Sequence, residues 1–393
     1  MRKSILYFIL PAMALVFAAS CEKDDSDFSQ YKLIDGTDDD DDSGDDPDEP
    51  MTSASDTIYI AWNGASVNVT GDTDGYVSVS GADVTVDTGE DTDSLMLVLS
   101  GTTDDGSLLV NRSKKYTIQL NGVSITNADG PAINNQCGKA LYVVCADGTT
   151  NTLADGTAYA EKTWQQKGAL FSEGQTYFSG AGTLNVYGNC KNAIASDDYI
   201  TIEGDIIINA VTSDTGTNGI KANDGMYING GTLNVNVASD GGRGIRCDSY
   251  VTITGGNITI TTKGDCLIEK VNGVADTTSA AGIKCDSLFS MSAGVLTITS
   301  SGDGGKGIRC DQNVEFSGGT LVVKTTGSND DSKPKGIKSD TGIIVSGGSF
   351  SVSVNKSWAC DNGSESELPS AQLTVLGTPA SSTIEKKKVV ITY

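Results

Sequence analysis

The chain contains no histidine in 393 residues. That absence excludes Ser-His-Asp and Cys-His catalysis and the ordinary zinc sites, all of which draw on imidazole. Proline is scarce at 7 residues against 47 glycines, so turns fall to Gly, Asn, Asp, Ser and Thr. Aromatic residues make up 6% of the chain, three of them tryptophan. Positive charge is in deficit, with 27 Lys and Arg against 51 Asp and Glu, a net charge of −24. Binding to nucleic acid or to anionic lipid by bulk charge is disfavoured. No segment repeats its apolar residues at the helical period. After residue 19 no apolar run is long enough to span a bilayer.

The first 20 residues have the layout of an export signal. Arg2 and Lys3 form a charged start, Ile5–Ala19 is apolar, and Ala18-Ala19-Ser20 precedes Cys21. The ending resembles a bacterial lipobox, which implies lipidation at Cys21. The following Glu22-Lys23-Asp24-Asp25 resembles the signal that sends some lipoproteins to the outer face of the outer membrane. The expectation is a monomeric, lipid-anchored outer-membrane protein facing the exterior, attached to the membrane by its lipid alone. The plainer alternative is a secretory signal followed by an incidental cysteine. Residues 22–50 carry 14 acidic against 2 basic side chains. With residues 21–55 they read as an acidic tether with no core of its own.

From residue 56 onward the chain repeats itself. Ala193-Ile-Ala-Ser-Asp197, Gly219-Ile-Lys-Ala-Asn223, Gly244-Ile-Arg-Cys-Asp248, Gly282-Ile-Lys-Cys-Asp286, Gly307-Ile-Arg-Cys-Asp311 and Gly336-Ile-Lys-Ser-Asp340 are copies of one phrase. Their starts lie 26, 25, 38, 25 and 29 residues apart. Tyr250-Val-Thr-Ile253 follows one copy as a second strand, Gly255-Gly256 turns, and Asn257-Ile-Thr-Ile260 is a third. Three short strands per period of about 25 residues predict an all-β, single-stranded right-handed parallel β-helix over residues 56–393, a solenoid with about 25 residues per coil. Thr57–Thr70 and Tyr76–Thr88 are expected to cap its start. Gln372–Leu376 and Lys388–Thr392 are expected to cover its end, with Lys386-Lys387-Lys388 discouraging edge pairing. Extra residues at Leu267–Ala280 and Asn329–Lys335 should protrude from one corner.

Stacking the copies produces columns. Ile194, Ile220, Ile245, Ile283, Ile308 and Ile337 should point inward, as should the small residues Ser196, Ala222, Cys247, Cys285, Cys310 and Ser339. The three cysteines of that column read as small buried apolar residues. Cys137, Cys145, Cys190, Cys266 and Cys360 leave disulfides open. Outward stand Lys221, Arg246, Lys284, Arg309 and Lys338, with Asn223 and Asp197, Asp248, Asp286, Asp311 and Asp340 two residues on. The two columns can neutralise each other, or the basic one can bind carboxylates of an acidic polysaccharide, with arginine offering a bidentate fork. Asp240, Asp265 and Asp303 occupy a second repeated turn. With Asp248, Asp286 and Asp311 they are candidate ligands for Ca²⁺, a hard cation that takes six to eight oxygens. Asp is also an ordinary turn residue. Trp62, Trp164 and Trp358 are either packing residues or sugar platforms, and Trp164 lies in a polar stretch that reads as an exposed loop.

Leu120-Asn-Gly-Val-Ser-Ile-Thr126 with Gly130-Pro-Ala132, Ala146-Asp-Gly-Thr-Thr-Asn-Thr-Leu153, and the Gly-Ile-Lys/Arg-x-Asp phrases resemble a family of exported bacterial carbohydrate-binding proteins. These are calcium-containing parallel β-helices similar in architecture to pectate lyases. The resemblance implies binding of plant cell-wall polysaccharide, including acidic pectic chains, without established catalysis. Two other readings stay open. One is a polysaccharide lyase using calcium and a Lys or Arg base drawn from Lys221, Arg246, Lys284 or Arg309; the other is a non-catalytic surface adhesin or scaffold.

Overall fold

Each phrase alternates, so every second residue turns to the interior, and the copies fall in register. In the computed structural model, which describes residues 56–89, 94–271, 274–328 and 333–393, Ile194, Ile220, Ile245, Ile283, Ile308 and Ile337 are successive strand partners. All six are buried. The signal at 1–20, Cys21 and the tether at 21–55 lie outside the described residues.

The result is the expected parallel β-solenoid, of about 11 turns with roughly 25 residues each. One coil runs Arg243–Cys247, Tyr250–Ile253, Asn257–Thr262. Repetition of these three strands builds three parallel faces. The first carries the phrases, the second the short strands, and the third the longer strands such as Asn257–Thr262. Main-chain hydrogen bonds tie each coil to the next at about 4.8 Å. Near the start, the long strand Tyr116–Asn127 pairs with Leu141–Cys145 on the second face and Thr150–Asp155 on the third. Among the described residues the only helix is one short 3-10 turn, Pro369–Ala371.

The phrase glycine has a packing cause. A Cβ on Gly244 would lie 2.2 Å from Ile260 Cγ2 and 2.6 Å from Gly282 O, and Gly219, Gly282, Gly307 and Gly336 show the same two collisions. Methyls from the third face and the carbonyl of the next coil leave no room for a side chain. The small column after the isoleucine is indeed interior, but tightness is only part of its chemistry. Ser172 Oγ donates to Gly174 O (2.7 Å), Cys247 Sγ to Tyr250 O (3.2 Å) and Cys310 Sγ to Asn313 O (3.2 Å). Ser and Cys therefore serve there as short donors that tie the turn into the second face. No disulfide joins any of the eight described cysteines.

The ends are hairpins. Asp56–Asn63 pairs antiparallel with Ser66–Thr70, and Val77–Ser80 with Asp83–Gly89. At the other end Lys388–Thr392 covers Ser349–Val354 and is covered by Ser381–Glu385. The expected lysine guard is placed differently. Lys386 and Lys387 form the tip of that hairpin, where the Lys386 ammonium lies 4.3 Å from the Trp358 ring centre and pairs with Glu367 at 3.1 Å. The first insertion forms a hairpin, Leu267–Val271 with Val274–Thr278, at the corner between the third and first faces. Residues 329–332 of the second insertion lie outside the described residues.

Candidate functional site

On the first face the outward basic residues are strand neighbours: Lys221, Arg246, Lys284, Arg309 and Lys338 stand over one another in that order. Five like charges at strand spacing repel. The aspartates two residues on interleave with them. Arg246 reaches Asp248 at 2.7 Å and Asp286 of the next coil at 3.1 Å. Lys284 does the same with Asp286 at 2.5 Å and Asp311 at 2.6 Å. Lys221 lies 3.8 Å from Asp248, and Lys338 pairs with Asp340 at 2.5 Å. Burial by itself would lower Arg246, but Asp248 and Asp286 hold its guanidinium above the ordinary value. Mutual neutralisation thus describes the middle of the column.

The column loosens toward the C-terminal coils. Arg309 Nε approaches Asp311 Oδ1 only to 3.5 Å, and both atoms are buried without a hydrogen bond. The Arg309 side chain is 33% exposed, against 7% for Lys284. Arg309 is thus the most exposed member of the column, although its Nε is itself enclosed.

Asp240, Asp265 and Asp303 stack at the corner beside the 267–278 hairpin. Asp240 Oδ1 accepts from Asp265 N (2.8 Å), Asp265 Oδ1 from Asp303 N (2.7 Å), and Asp303 Oδ1 from Ser328 N (2.7 Å). Each carboxylate therefore ties its own coil to the one above. Three residues before Asp265, Asp303 and Ser328, the hydroxyls of Thr262, Ser300 and Thr325 are buried without a partner. As oxygen donors these groups suit a hard cation in kind. Among the described residues, however, no three acidic side chains converge as a ready metal cluster. Asp248, Asp286 and Asp311, the other candidate ligands, face lysine and arginine instead, with Asp311 Oδ1 left without a hydrogen bond.

Of the tryptophans, Trp62 is buried and donates to Ala82 O at 2.8 Å, and Trp358 lies under Lys386. Both are packing residues. Trp164 is 37% exposed. Its neighbour Gln165 accepts from Asn134 Nδ2 at 3.0 Å, which fastens the loop to the first face, where Asn134 precedes Phe171, Ala195 and Lys221 in the outward column.

The second face carries a feature that the repeated phrase does not signal. Tyr142, Tyr177, Tyr199, Tyr227 and Tyr250 form a continuous file along the second face, with ring centres 5.0, 5.9, 6.1 and 5.4 Å apart. Two outward columns share the work: Tyr142, Tyr177 and Tyr227 stand in one, Tyr199 and Tyr250 in the other. Where one column holds a ring, the other holds a small residue, as in Tyr199-Ile-Thr201, Gly225-Met-Tyr227 and Tyr250-Val-Thr252. The Tyr250 ring lies over Gly225, where a Cβ would meet it at 2.7 Å. Hydroxyls pair at 2.7 Å between Tyr177 and Tyr199 and at 2.5 Å between Tyr227 and Tyr250. Burial and the bond to Tyr227 raise the Tyr250 phenol. The signal in the sequence was aromatic residues at positions equivalent to the start of Tyr250-Val-Thr-Ile253, shifted by two between coils.

Outside these files, Lys306 stands in a second column of the first face and is buried, with its ammonium donating to Ser279 Oγ. Burial, then Arg309 and Lys335, push it down to about 8.

The family model described as carbohydrate-binding domain-containing protein matches residues 80–368. A carbohydrate-binding domain-containing protein of Acetivibrio thermocellus is 30% identical over 114 residues, 28% of this chain. The match spans 40% of that relative's length. The solved structure of the polysaccharide lyase-like protein from C. thermocellum, a gadolinium derivative, is 26% identical with a TM-score of 0.52. The likeness covers 66% of this chain and 97% of that one.

Proposed function

The chain belongs to the carbohydrate-binding domain-containing protein family, and from that premise we propose that it holds an acidic, pectin-like polysaccharide along the first face of the solenoid. The observation that carries this reading is the loosened end of the basic column. The Arg309 side chain is one-third exposed and meets Asp311 no closer than 3.5 Å, and Lys338, paired with Asp340 but 26% exposed, stands on the next coil. A uronate carboxylate is the planar acceptor that a guanidinium fork matches. Lys221, Arg246 and Lys284 supply the positive background but are already paired. Trp164 lies toward the other end of the same face, where its exposed ring suits a pyranose.

Calcium belongs to this proposal at the Asp240–Asp265–Asp303 corner, where carboxylate and hydroxyl oxygens would hold it and it would lessen the repulsion between a polyuronate and an acidic protein. The lipid anchor at Cys21 and an outward-facing outer-membrane location are the remaining parts; replacing Cys21 with Ala should release the protein from the membrane fraction.

Catalysis by a residue of the basic column is the weaker reading, because Arg246 is held protonated and Lys284 is buried in two ion pairs. Lys306 is the more basic-catalyst-like amine, yet it is covered and bonded to Ser279. One experiment separates the readings. The full chain is mixed with polygalacturonate, with calcium or with a chelator, and both co-sedimentation and the absorbance of unsaturated product are followed. Binding without product, reduced roughly tenfold in an Arg309→Ala/Lys338→Ala variant (about 1.4 kcal/mol), is the expected result. Product formation would make the protein a lyase, and absence of binding would refute the proposal.

A further inference from the structure

The tyrosine file and the basic column lie on different faces and offer different chemistry. The file presents ring edges and paired hydroxyls. Tyr142 and Tyr177 are buried at its N-terminal end, while Tyr199, Tyr227 and Tyr250 are half-buried. In the Tyr227–Tyr250 pair one proton bridges the two oxygens, which leaves the second hydroxyl's proton and several lone pairs available to a ligand. A pyranose ring has the complementary layout, with C–H groups on its faces and hydroxyls on its rim. Tyrosine is suited to such surfaces because it combines an apolar body with a polar tip.

The charge beside the file decides which kind of chain fits. Asp198 and Asp224 occupy equivalent turns directly before Tyr199 and Gly225. Neither forms an ion pair with any described residue. Burial raises both carboxyls, and for Asp224 so do Asp198, Asp248 and Asp197. Glu173, one coil earlier, is likewise raised by burial and by Asp197. A polyuronate laid here would meet the carboxylates of Glu173, Asp198 and Asp224, whereas carboxylates accept hydrogen bonds readily from sugar hydroxyls. The spacing is set by the scaffold, since the rings follow one another coil by coil at 5.0–6.1 Å. An extended chain parallel to the solenoid axis would meet a ring at each step.

We propose that the partly exposed end of the tyrosine file, from Tyr199 to Tyr250, is a second glycan-binding strip, taking a neutral, hydroxyl-rich polysaccharide chain laid along the solenoid axis. This inference rests on the polysaccharide-binding reading above, but it assigns a different face and a different class of chain. Two glycans of opposite character can then be held at once by one rigid rod, the acidic one near Arg309 and the neutral one near Tyr227.

Affinity electrophoresis of the full chain through gels containing either a soluble neutral β-glucan or polygalacturonate tests it. The unsubstituted protein should be retarded by both. A Tyr227→Ala/Tyr250→Ala variant should lose neutral-glucan affinity by roughly tenfold or more while its retardation by polygalacturonate is unchanged. The Arg309→Ala/Lys338→Ala variant should show the reverse. Retardation by polygalacturonate alone would overturn the strip and leave the earlier reading standing; retardation by neither would overturn both. Neutral-glucan binding that survives the tyrosine substitutions would also overturn the strip. Should the alanine variants fold poorly, hydroxyl-radical footprinting of the unsubstituted protein decides. Protection of Tyr199, Tyr227 and Tyr250 by the glucan is expected, and their unaltered oxidation would refute the proposal.

Discussion

The N-terminal and C-terminal coils share one backbone plan and carry opposite surfaces. From Tyr142 to Tyr250 the second face is a file of aromatic rings, while on the first face the outward positions Asn134, Phe171 and Ala195 are buried. From Lys221 to Lys338 the first face becomes an interleaved series of basic and acidic groups, while the second face offers Thr252, Ser290 and Glu315 in the column that held Tyr227. The interior does not change with them: aliphatic residues fill the isoleucine column in both halves. The coil-to-coil register is fixed by the buried columns and the collision-limited glycines. Outward positions are consequently free to vary, and the ligand is chosen there.

That division can be broken most sharply from inside. Ile283 is fully buried in the column between Ile245 and Ile308. Ile283→Ala should destabilise the protein by about 3 kcal/mol, the usual result of an unfilled core site, measured by denaturant unfolding. A loss below about 1 kcal/mol would mean the column is not the register-setting element. Next in size is the outward charge of the C-terminal half. Lys284 is nearly buried, and Lys284→Ala removes the cation that joins Asp286 to Asp311, leaving Asp286 only Arg246 and Asp311 only Arg309 at 3.5 Å. A loss of about 2 kcal/mol is expected, larger at low salt than at high salt; no change would show that the ion pairs are incidental to stability.

A pH profile sharpens the comparison further. Lys306 has a folded value of about 8 against an ordinary lysine value of 10.5. Between those values the unfolded chain holds a proton that the folded one has released, so stability rises with pH across that window. Lys306→Met abolishes this contribution. The variant's stability relative to the parent should therefore fall by roughly 2 kcal/mol between pH 8 and pH 10, read from unfolding curves at each pH. A flat difference would place Lys306 in ordinary solvent.

Much of the scaffold was legible before any coordinates. The repeated Gly-Ile phrase located the first face, and alternation assigned Ile245 and Cys247 to the interior and Arg246 to the exterior. Tyr250-Val-Thr-Ile253 was a strand in the sequence and is one in the structure. The corner occupied by the 267–278 hairpin followed from where the extra residues fall. What the residues could not reveal was partnership between coils. That Arg246 bridges Asp248 and Asp286 depends on side chains reaching across 40 residues of sequence. The donor role of Cys247 and Cys310 was hidden because a thiol in a tight interior reads first as an apolar filler. The tyrosines are hard to see in the sequence because from Tyr177 onward they alternate between two columns, which only the packing and hydroxyl pairing of the rings join.

On the proposed reading, successive coils present their outward side chains together to one extended polymer. Titration calorimetry of the full chain with galacturonate and neutral glucan oligomers of increasing length tests this most directly. Affinity should climb with each added sugar until the oligomer spans several coils, at about 4.8 Å per coil. A disaccharide bound as tightly as the longest oligomer would contradict it, because a single pocket would then suffice.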